Sequence, residues 1–191
     1  PIEATNVCGE QPLHPFDVCN LGSINLAAFI TSGGNGQVHP RVDWQGLERV
    51  VRLAVRFLDD GIDASEYPIA QIETMAHNVR RIGLGVMGWA DMLIKLRIRY
   101  DSQKGVRLAA QVAKFVQQVG WDESARLARE KGSFPLWKAS SFAKNHPVIG
   151  KKGVPVRNVA VTTIAPTGTI SMLADCNSGI EPIFALAYIK N

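Results

Sequence analysis

Cysteine is scarce in this sequence. Its 191 residues hold three, Cys8, Cys19 and Cys176. Three is too few, and an odd number, for a disulfide framework, and points to a reducing compartment, the cytoplasm, with thiols available for chemistry. No run of 18 apolar residues is present, which excludes a membrane-spanning helix, and no secretory signal is found. The four histidines (His14, His39, His77, His146) never pair at metal-ligand spacing and no Cys-x-x-Cys occurs, so no metal site is expected. Internal repeats, low-complexity tracts and linkers are missing too. The excess of positive charge is slight and scattered, 21 Lys+Arg against 17 Asp+Glu for a net +4, so no nucleic-acid partner is inferred. The densest basic spots, Arg80-Arg81 and Lys151-Lys152, read as solvated surface, with phosphate-facing patches as the alternative.

What is there is ordinary globular material. Apolar residues make up 46% and charged residues 20% of the chain, which argues against disorder. The length suits one domain or slightly more. The chain opens at Pro1 in a Gly/Pro-punctuated loop and closes on Ile189-Lys190-Asn191 without a cap, so a piece of a larger protein is expected.

Residues 1–19 read as an ordered loop, or a loop plus a short strand. Asp17 to Phe29 reads as a strand running into a short helix, and Thr31 to Gly36 as a turn. Asp43 is a good N-cap for a helix carrying Trp44, Leu47, Val50, Val51, Ala54, Val55 and Leu58 at helical spacing, with Gly61 closing it. A second helix is expected over about 69–78, then a strand over Ile82 to Met87 and a helix to about Lys95. Ser102 can cap a long helix through Leu108, Val112, Val116, Val119, Ala125 and Ala128 that ends at Gly132. Residues 133–155 read as loop. Asn158 to Ile164 is β-branched and reads as a buried strand. The alternation of helices with short apolar strands indicates an α/β fold.

Two segments carry chemistry. Asn6, Cys8 and Glu10 alternate, and in an extended loop alternate side chains share a side, so an amide, a thiol and a carboxylate would converge. A thiol can act as nucleophile or hydrogen-atom donor, and a carboxylate can take a proton. The bland alternative is a surface loop with a buried cysteine. Cys19, eleven residues after Cys8, is either half of a redox pair or a small core residue. The second segment, Pro166-Thr167-Gly168-Thr169-Ile170-Ser171, follows the last strand. Its glycine, hydroxyls and successive N–H groups suit an anion. It lacks lysine, so it is not a Walker A loop, and an ordinary strand-to-helix turn is the alternative.

Gly83-x-Gly85-x-x-Gly88 spells the dinucleotide fingerprint, with Asp101 18 residues after Gly83. An NAD-binding Rossmann module is therefore a rival. It needs a hydrophobic strand before the first glycine, whereas His77, Asn78, Val79, Arg80 and Arg81 stand there. Close strand packing explains the glycines better. The Met87, Trp89 and Met92 cluster reads as core.

The segment Asn6-Val-Cys-Gly-Glu-Gln-Pro-Leu13, followed by Val18-Cys-Asn-Leu-Gly-Ser-Ile-Asn-Leu26, resembles the active-site loop of the adenosylcobalamin-dependent (class II) ribonucleotide reductases. Arg81-Ile-Gly-Leu-Gly-Val-Met-Gly-Trp-Ala-Asp91, Ala165-Pro-Thr-Gly-Thr-Ile-Ser171 and Ser178-Gly-Ile-Glu-Pro182 agree in order, so the resemblance runs through nearly the whole chain. Class II is favoured because the oxygen-dependent class I large subunits usually have a longer gap between the two cysteines. Class I enzymes also usually have an alanine-containing phosphate motif. A class I large-subunit fragment remains the alternative, as does a non-catalytic interaction piece.

The resemblance implies that Cys8 becomes the thiyl radical that removes the ribose 3′ hydrogen. Glu10 takes the 3′-hydroxyl proton, Asn6 holds the sugar hydroxyls, and Cys19 is one of two thiols that supply the electrons. Residues 166–171 would cradle the substrate phosphates. Cys176 is expected to be structural, and Glu181 to cap or brace the site. The cofactor implied is adenosylcobalamin. The partners are a ribonucleotide, a dithiol reductant such as thioredoxin, and the remaining segments of a parent chain.

The implied fold is part of a ten-stranded α/β barrel, helix-rich, with the Cys8 loop as a finger near the N-terminus. Residues 1–191 would form a single partial domain: 1–19 the finger loop and strand start, 43–132 mainly helical, 157–191 the phosphate-binding strand-turn region. The partner thiol of Cys19, the effector site and the re-reducing cysteines would lie elsewhere in the parent. This chain alone is expected to be inactive, with open strand edges that invite association.

Overall fold

Asp43 and Ser102 start the two long helices that carry most of the core. The computed structural model describes residues 2–31, 39–144 and 153–185, and Ala187. Asp43 accepts from the Gly46 N–H at the start of α1 (Trp44–Ala64), and Ser102 accepts from the Gly105 N–H at the start of α4 (Gln103–Lys131). Two shorter helices, α2 (Ala70–Val79) and α3 (Trp89–Lys95), lie between them, and α5 (Gly168–Leu173) comes near the end. On α1 the buried residues Leu47, Val51, Val55, Leu58 and Ile62 fall on one face. That face packs on α4, which buries Val112, Val116 and Val119.

Four strands form two small antiparallel pairs. β1 (Ala4–Thr5) pairs with β2 (Pro12–Leu13), and β4 (Ile30–Thr31) pairs with β5 (Arg41–Val42). The central pair is parallel: β3 (Asn20–Asn25) lies beside β6 (Ile82–Met87) with Asn20 opposite Ile82 and Asn25 opposite Met87. Parallel neighbours need a crossover, and α1 and α2 provide it. Every residue of β6 is buried. A short 3-10 turn, Leu26–Phe29, follows β3. Trp89 and Met92 join the core, and Met87 is buried beside them.

The structure differs from the sequence reading at several points. Gly61 does not close α1, which runs on to Ala64. Gly61 instead admits Asn20, whose side-chain nitrogen lies 3.0 Å from the position a Cβ would take. Ser65 Oγ and Tyr67 OH cap the helix by donating to the Gly61 and Ile62 carbonyls.

Residues 158–164 do not form a full strand. They lie along the outer side of β6 through one parallel bridge, Leu84 to Thr162. Three main-chain hydrogen bonds support that bridge: Ile82 N to Ala160 O, Leu84 N to Val161 O and Thr163 N to Leu84 O. The segment's start is drawn off the sheet, because buried Asn158 accepts from Ser124 Oγ and donates to Asp59 and the Arg80 carbonyl. The 133–155 stretch holds two 3-10 turns, Pro135–Ala139 and Ser141–Ala143, where loop was expected.

Arg80 and Arg81 are buried rather than solvated. Arg80 bonds to Asp59 and Asp63, and Arg81 to Asp17. The expected turn over 32–36, Lys151-Lys152, His146 and the last residues lie outside the described residues.

The Rossmann reading fails on placement. Gly83 and Gly85 lie inside β6 and the residues before them end α2, so the first two glycines form no turn after a strand; Gly88 alone, at φ +70°, stands at the turn from β6 into α3. A Cβ at Gly83 would stand 2.7 Å from Leu21 Cδ2 and 2.9 Å from Thr163 Cγ2. These glycines let three extended segments approach closely.

The described residues form a partial sheet covered by helices, not a closed barrel. No described strand pairs with the outer edge of β3, and Val50, Leu53 and Phe57 of α1 are exposed on the helix that packs on it. None of the described helices is long and apolar enough to cross a membrane.

Candidate active site

The β1–β2 hairpin presents the Asn6–Gln11 loop. Asn6 N donates to the Gln11 carbonyl, and Gln11 N donates back to Asn6 Oδ1 at 3.0 Å. Gly9 N closes a tight turn on the Asn6 carbonyl, with Gly9 at φ +80°, where a side chain would be strained. The loop is therefore a turn, not the extended segment whose alternation was expected to align Asn6, Cys8 and Glu10. The Asn6 amide oxygen braces the turn, and Cys8 is exposed at its tip.

Two long-range bonds fix this hairpin to the 158–164 segment. Thr163 Oγ1 donates to the Glu10 carbonyl at 3.1 Å, and Gln11 Nε2 donates to the Thr162 carbonyl at 3.3 Å. Glu10 is half-buried; its Oε2 is buried and has no hydrogen-bond partner among the described residues. Glu10 lines a cavity of about 750 Å³ with Gly85, Thr162 and Thr163 on one side and Val106, Ala109 and Ala113 of α4 on the other.

Cys19 lies one residue before β3, half-buried, with its sulfur 3.0 Å from the open Cβ position of Gly83. Burial pushes its thiol up to about 12; the Arg81 guanidinium works against that, and the Asp17 and Glu10 carboxylates add to it. The Glu10 carboxylate is thus the weakest of the three charges that act on the Cys19 thiol.

Residues 166–171 begin three positions after Thr163, so the 158–164 segment carries both candidate regions. Thr167 takes the left-handed conformation at φ +56° and caps α5. Its Oγ1 accepts from Gly179 N at 2.7 Å. Ser171 Oγ bonds to the Gly168 carbonyl and to Ser178 Oγ. Those two hydroxyls are buried and engaged internally. Pro166, Gly168, Thr169 and Ile170 are exposed, and the first N–H groups of α5 have no partner within the helix. The Ser178-Gly179 stretch holds the segment, and Asn25 Nδ2 ties its far end by donating to the Ala174 carbonyl. Cys176 is half-buried near Gly88, and burial raises its pKa.

Sequence reasoning missed Gln11, Thr163 and the Asp17–Arg81 pair. Gln11 stood inside the quoted loop motif and Thr163 in the strand leading to 166–171, but nothing local showed that they join.

An exposed thiol on a turn, a carboxylate with a buried, unpartnered oxygen and a half-buried thiol at a strand start thus lie in one α/β segment. The chain belongs to the ribonucleotide reductase barrel-domain family, whose model matches residues 1–191. It is 47% identical over 190 residues to a vitamin B12-dependent ribonucleoside-diphosphate reductase of Thermoplasma acidophilum, covering 100% of this chain and 23% of that protein. It is 49% identical over 189 residues to a protein of the same name from Mycobacterium tuberculosis (strain CDC 1551 / Oshkosh), covering 99% and 25%. It is also 30% identical over 224 residues to a ribonucleoside-diphosphate reductase subunit alpha of Chlamydia muridarum, covering 100% and 21%. The chain spans about a quarter of the length of these relatives.

Proposed function

We propose that the complete enzyme to which this barrel segment contributes reduces ribonucleotides to deoxyribonucleotides, using adenosylcobalamin as its radical source. The observation that carries the reading is the anchoring of the Cys8 turn. The loop holding an exposed thiol and a carboxylate with a free buried oxygen is bonded to the same segment that leads into residues 166–171. The two relatives at 47% and 49% identity are named vitamin B12-dependent, which supports the cobalamin form over the class I alternative.

The Cys8 turn suits a bulky cofactor. Val7 and Cys8 are exposed, and a side-chain carbon at Gly9 would meet nothing within 4 Å. Val7, Cys8 and Gly9 would face the group, which when bound supplies a cobalt–carbon bond that splits homolytically. The rest falls to this chain. The Cys8 sulfur, having lost its own hydrogen and become a thiyl radical, takes the 3′ hydrogen atom of the ribose and later returns it. Glu10 Oε2 accepts the 3′-hydroxyl proton as the 2′-hydroxyl leaves as water. Asn6 holds the sugar hydroxyls, and the main-chain N–H groups of the exposed residues Gly168, Thr169 and Ile170 meet the phosphates. Cys19 and a second cysteine give the two electrons. Per turnover, one ribonucleotide and two thiols become one deoxyribonucleotide, one water and one disulfide. A dithiol such as thioredoxin resets the disulfide, and the setting proposed is the cytoplasm. Alone, this chain is inactive, since the second thiol comes from the rest of the enzyme.

The test is deoxyribonucleotide formation by the intact protein from a ribonucleotide and a dithiol. The expected result is product only with adenosylcobalamin present, and none from Cys8→Ser that remains folded. Product without the cofactor overturns the cobalamin assignment, and undiminished product from Cys8→Ser overturns the radical thiol.

A further inference from the structure

Arg81 and Asp17 form a buried ion pair that the chemistry above does not use. Arg81 Nε and Nη2 both reach Asp17 Oδ2 at 2.8 Å, with the two side chains 8% and 0% exposed. Guanidinium–carboxylate pairs commonly engage both oxygens. Here both nitrogens converge on one, and Asp17 Oδ1 is buried without a hydrogen-bond partner. A buried pair contributes little net stability, and an orphaned buried oxygen subtracts from it. Stability is a poor reason for this pair.

Its neighbour is Cys19. In the parallel register Asn20 stands opposite Ile82, and Asn20 N donates to the Arg81 carbonyl. Cys19 and Arg81 are thus the preceding residues on adjacent strands. The Cys19 thiol has one long contact, 3.8 Å to the Asn20 carbonyl, and shares a cavity of about 300 Å³ with Arg81, Tyr67, Pro68 and Ile72. Arg81, Asp17 and Glu10 carry the charges that act on the sulfur, and Glu66 lines the same cavity.

We propose that Arg81, held in place by Asp17, is a positioning residue for Cys19: it fixes a cation beside the sulfur so that a thiolate can form there in a buried place. This rests on the reading of Cys19 as a redox thiol. In thiol–disulfide exchange, a thiolate of the incoming dithiol attacks the disulfide joining Cys19 to a second cysteine. A new S–S bond forms, the old one breaks, and the departing sulfur carries away the electron pair. When Cys19 departs, that charge falls beside Arg81. Burial opposes it and Arg81 offsets part of the opposition. Arginine keeps its charge throughout.

The experiment is pH-dependent alkylation of the reduced intact protein with iodoacetamide, scored at Cys19 by peptide mass spectrometry, with Cys176 as internal control. The thiolate is the reacting form, and one pH unit of displacement is about tenfold in rate. Arg81→Gln is expected to slow Cys19 alkylation about tenfold at fixed pH, Arg81→Lys to recover most of the rate, and Asp17→Asn, which frees the guanidinium, to slow it by less, since the carboxylate's own weaker repulsion is lost with it. Cys176 should not move with any of the three. A folded Arg81→Gln protein whose Cys19 profile overlays the parent's overturns the proposal. Should Arg81→Gln fail to fold, Asp17→Asn decides: an unchanged or faster Cys19 sinks the idea. Alkylation does not require turnover, so a failure here stands apart from a failure of the reductase reading, which the product assay detects.

Discussion

Thr163 and Glu10, 153 residues apart in sequence, are joined by a hydrogen bond of 3.1 Å from the Thr163 hydroxyl to the Glu10 carbonyl. With the bond from Gln11 to the Thr162 carbonyl, it makes the position of the Cys8 turn depend on the segment that ends at residue 164. Thr163→Val keeps the side chain's shape and removes the donor. It should cost about 1 kcal/mol in denaturant unfolding of the intact protein and lower turnover more than substrate binding, because the phosphate segment is untouched. Thr163→Ser should restore both. A Val variant with unchanged kcat would show that the anchor does not matter.

Gly83→Ala tests why glycine stands inside a buried strand. A Cβ there would meet Leu21 Cδ2 at 2.7 Å, Thr163 Cγ2 at 2.9 Å and Cys19 Sγ at 3.0 Å. Overpacking of this kind costs about 1–3 kcal/mol, and the Cys19 sulfur is among the atoms that must move. Gly168→Ala is the contrast, since nothing lies within 4 Å of its Cβ position. The expected outcome is a lower urea midpoint for Gly83→Ala and little change for Gly168→Ala.

How much of this was legible depended on the range of the interaction. The starts of α1 and α4 were readable because Asp43 and Ser102 sit three residues from the N–H groups they cap. β6 was readable from its own apolar run. Arg80 and Arg81 were misread because their partners Asp59, Asp63 and Asp17 lie 17 to 64 residues away, and an adjacent arginine pair looks the same in sequence whether solvated or buried. The Asn6–Glu10 alternation named the residues but not their geometry. The turn closed by Gly9 depends on a main-chain bond to Asn6 that the side-chain pattern does not encode. The 158–164 strand was overread because its β-branched residues promise a ladder, while Asn158 is held instead by Ser124, Asp59 and the Arg80 carbonyl.

Asp59 is the hub of that polar cluster. It is fully buried and accepts from Arg80 Nε at 2.9 Å, Asn158 Nδ2 at 2.9 Å and Arg157 Nε at 3.2 Å. The cluster ties α1 to the end of α2 and to the segment that reaches the candidate site. Asp59→Ala leaves two arginines facing an empty place, and removing one partner of a buried pair costs about 3–5 kcal/mol. Chemical denaturation of the intact protein should show a loss in this range, larger than that of Thr163→Val. A loss below about 1 kcal/mol would mean that the cluster relaxes by admitting water.

Asp63 gives the same cluster a pH dependence. The Arg80 guanidinium, bonded to both carboxylate oxygens at 2.7 and 2.9 Å, holds its carboxyl below the ordinary value of 3.8, against a smaller upward push from burial. Arg157 at 4.0 Å and His77 at 3.6 Å add to the lowering. A carboxylate whose pKa is depressed by folding binds fewer protons in the folded state. Its contribution is therefore present above the unfolded value of 3.8 and is lost as pH falls through the lower folded value. The side chain is 49% exposed, so solvent screening keeps the effect small. The urea midpoint of the parent should fall between about pH 5 and pH 3 more steeply than that of Asp63→Asn, with the two curves converging at the acid end. Parallel curves across that window would show that the Arg80–Asp63 bond persists equally in the unfolded chain or contributes nothing.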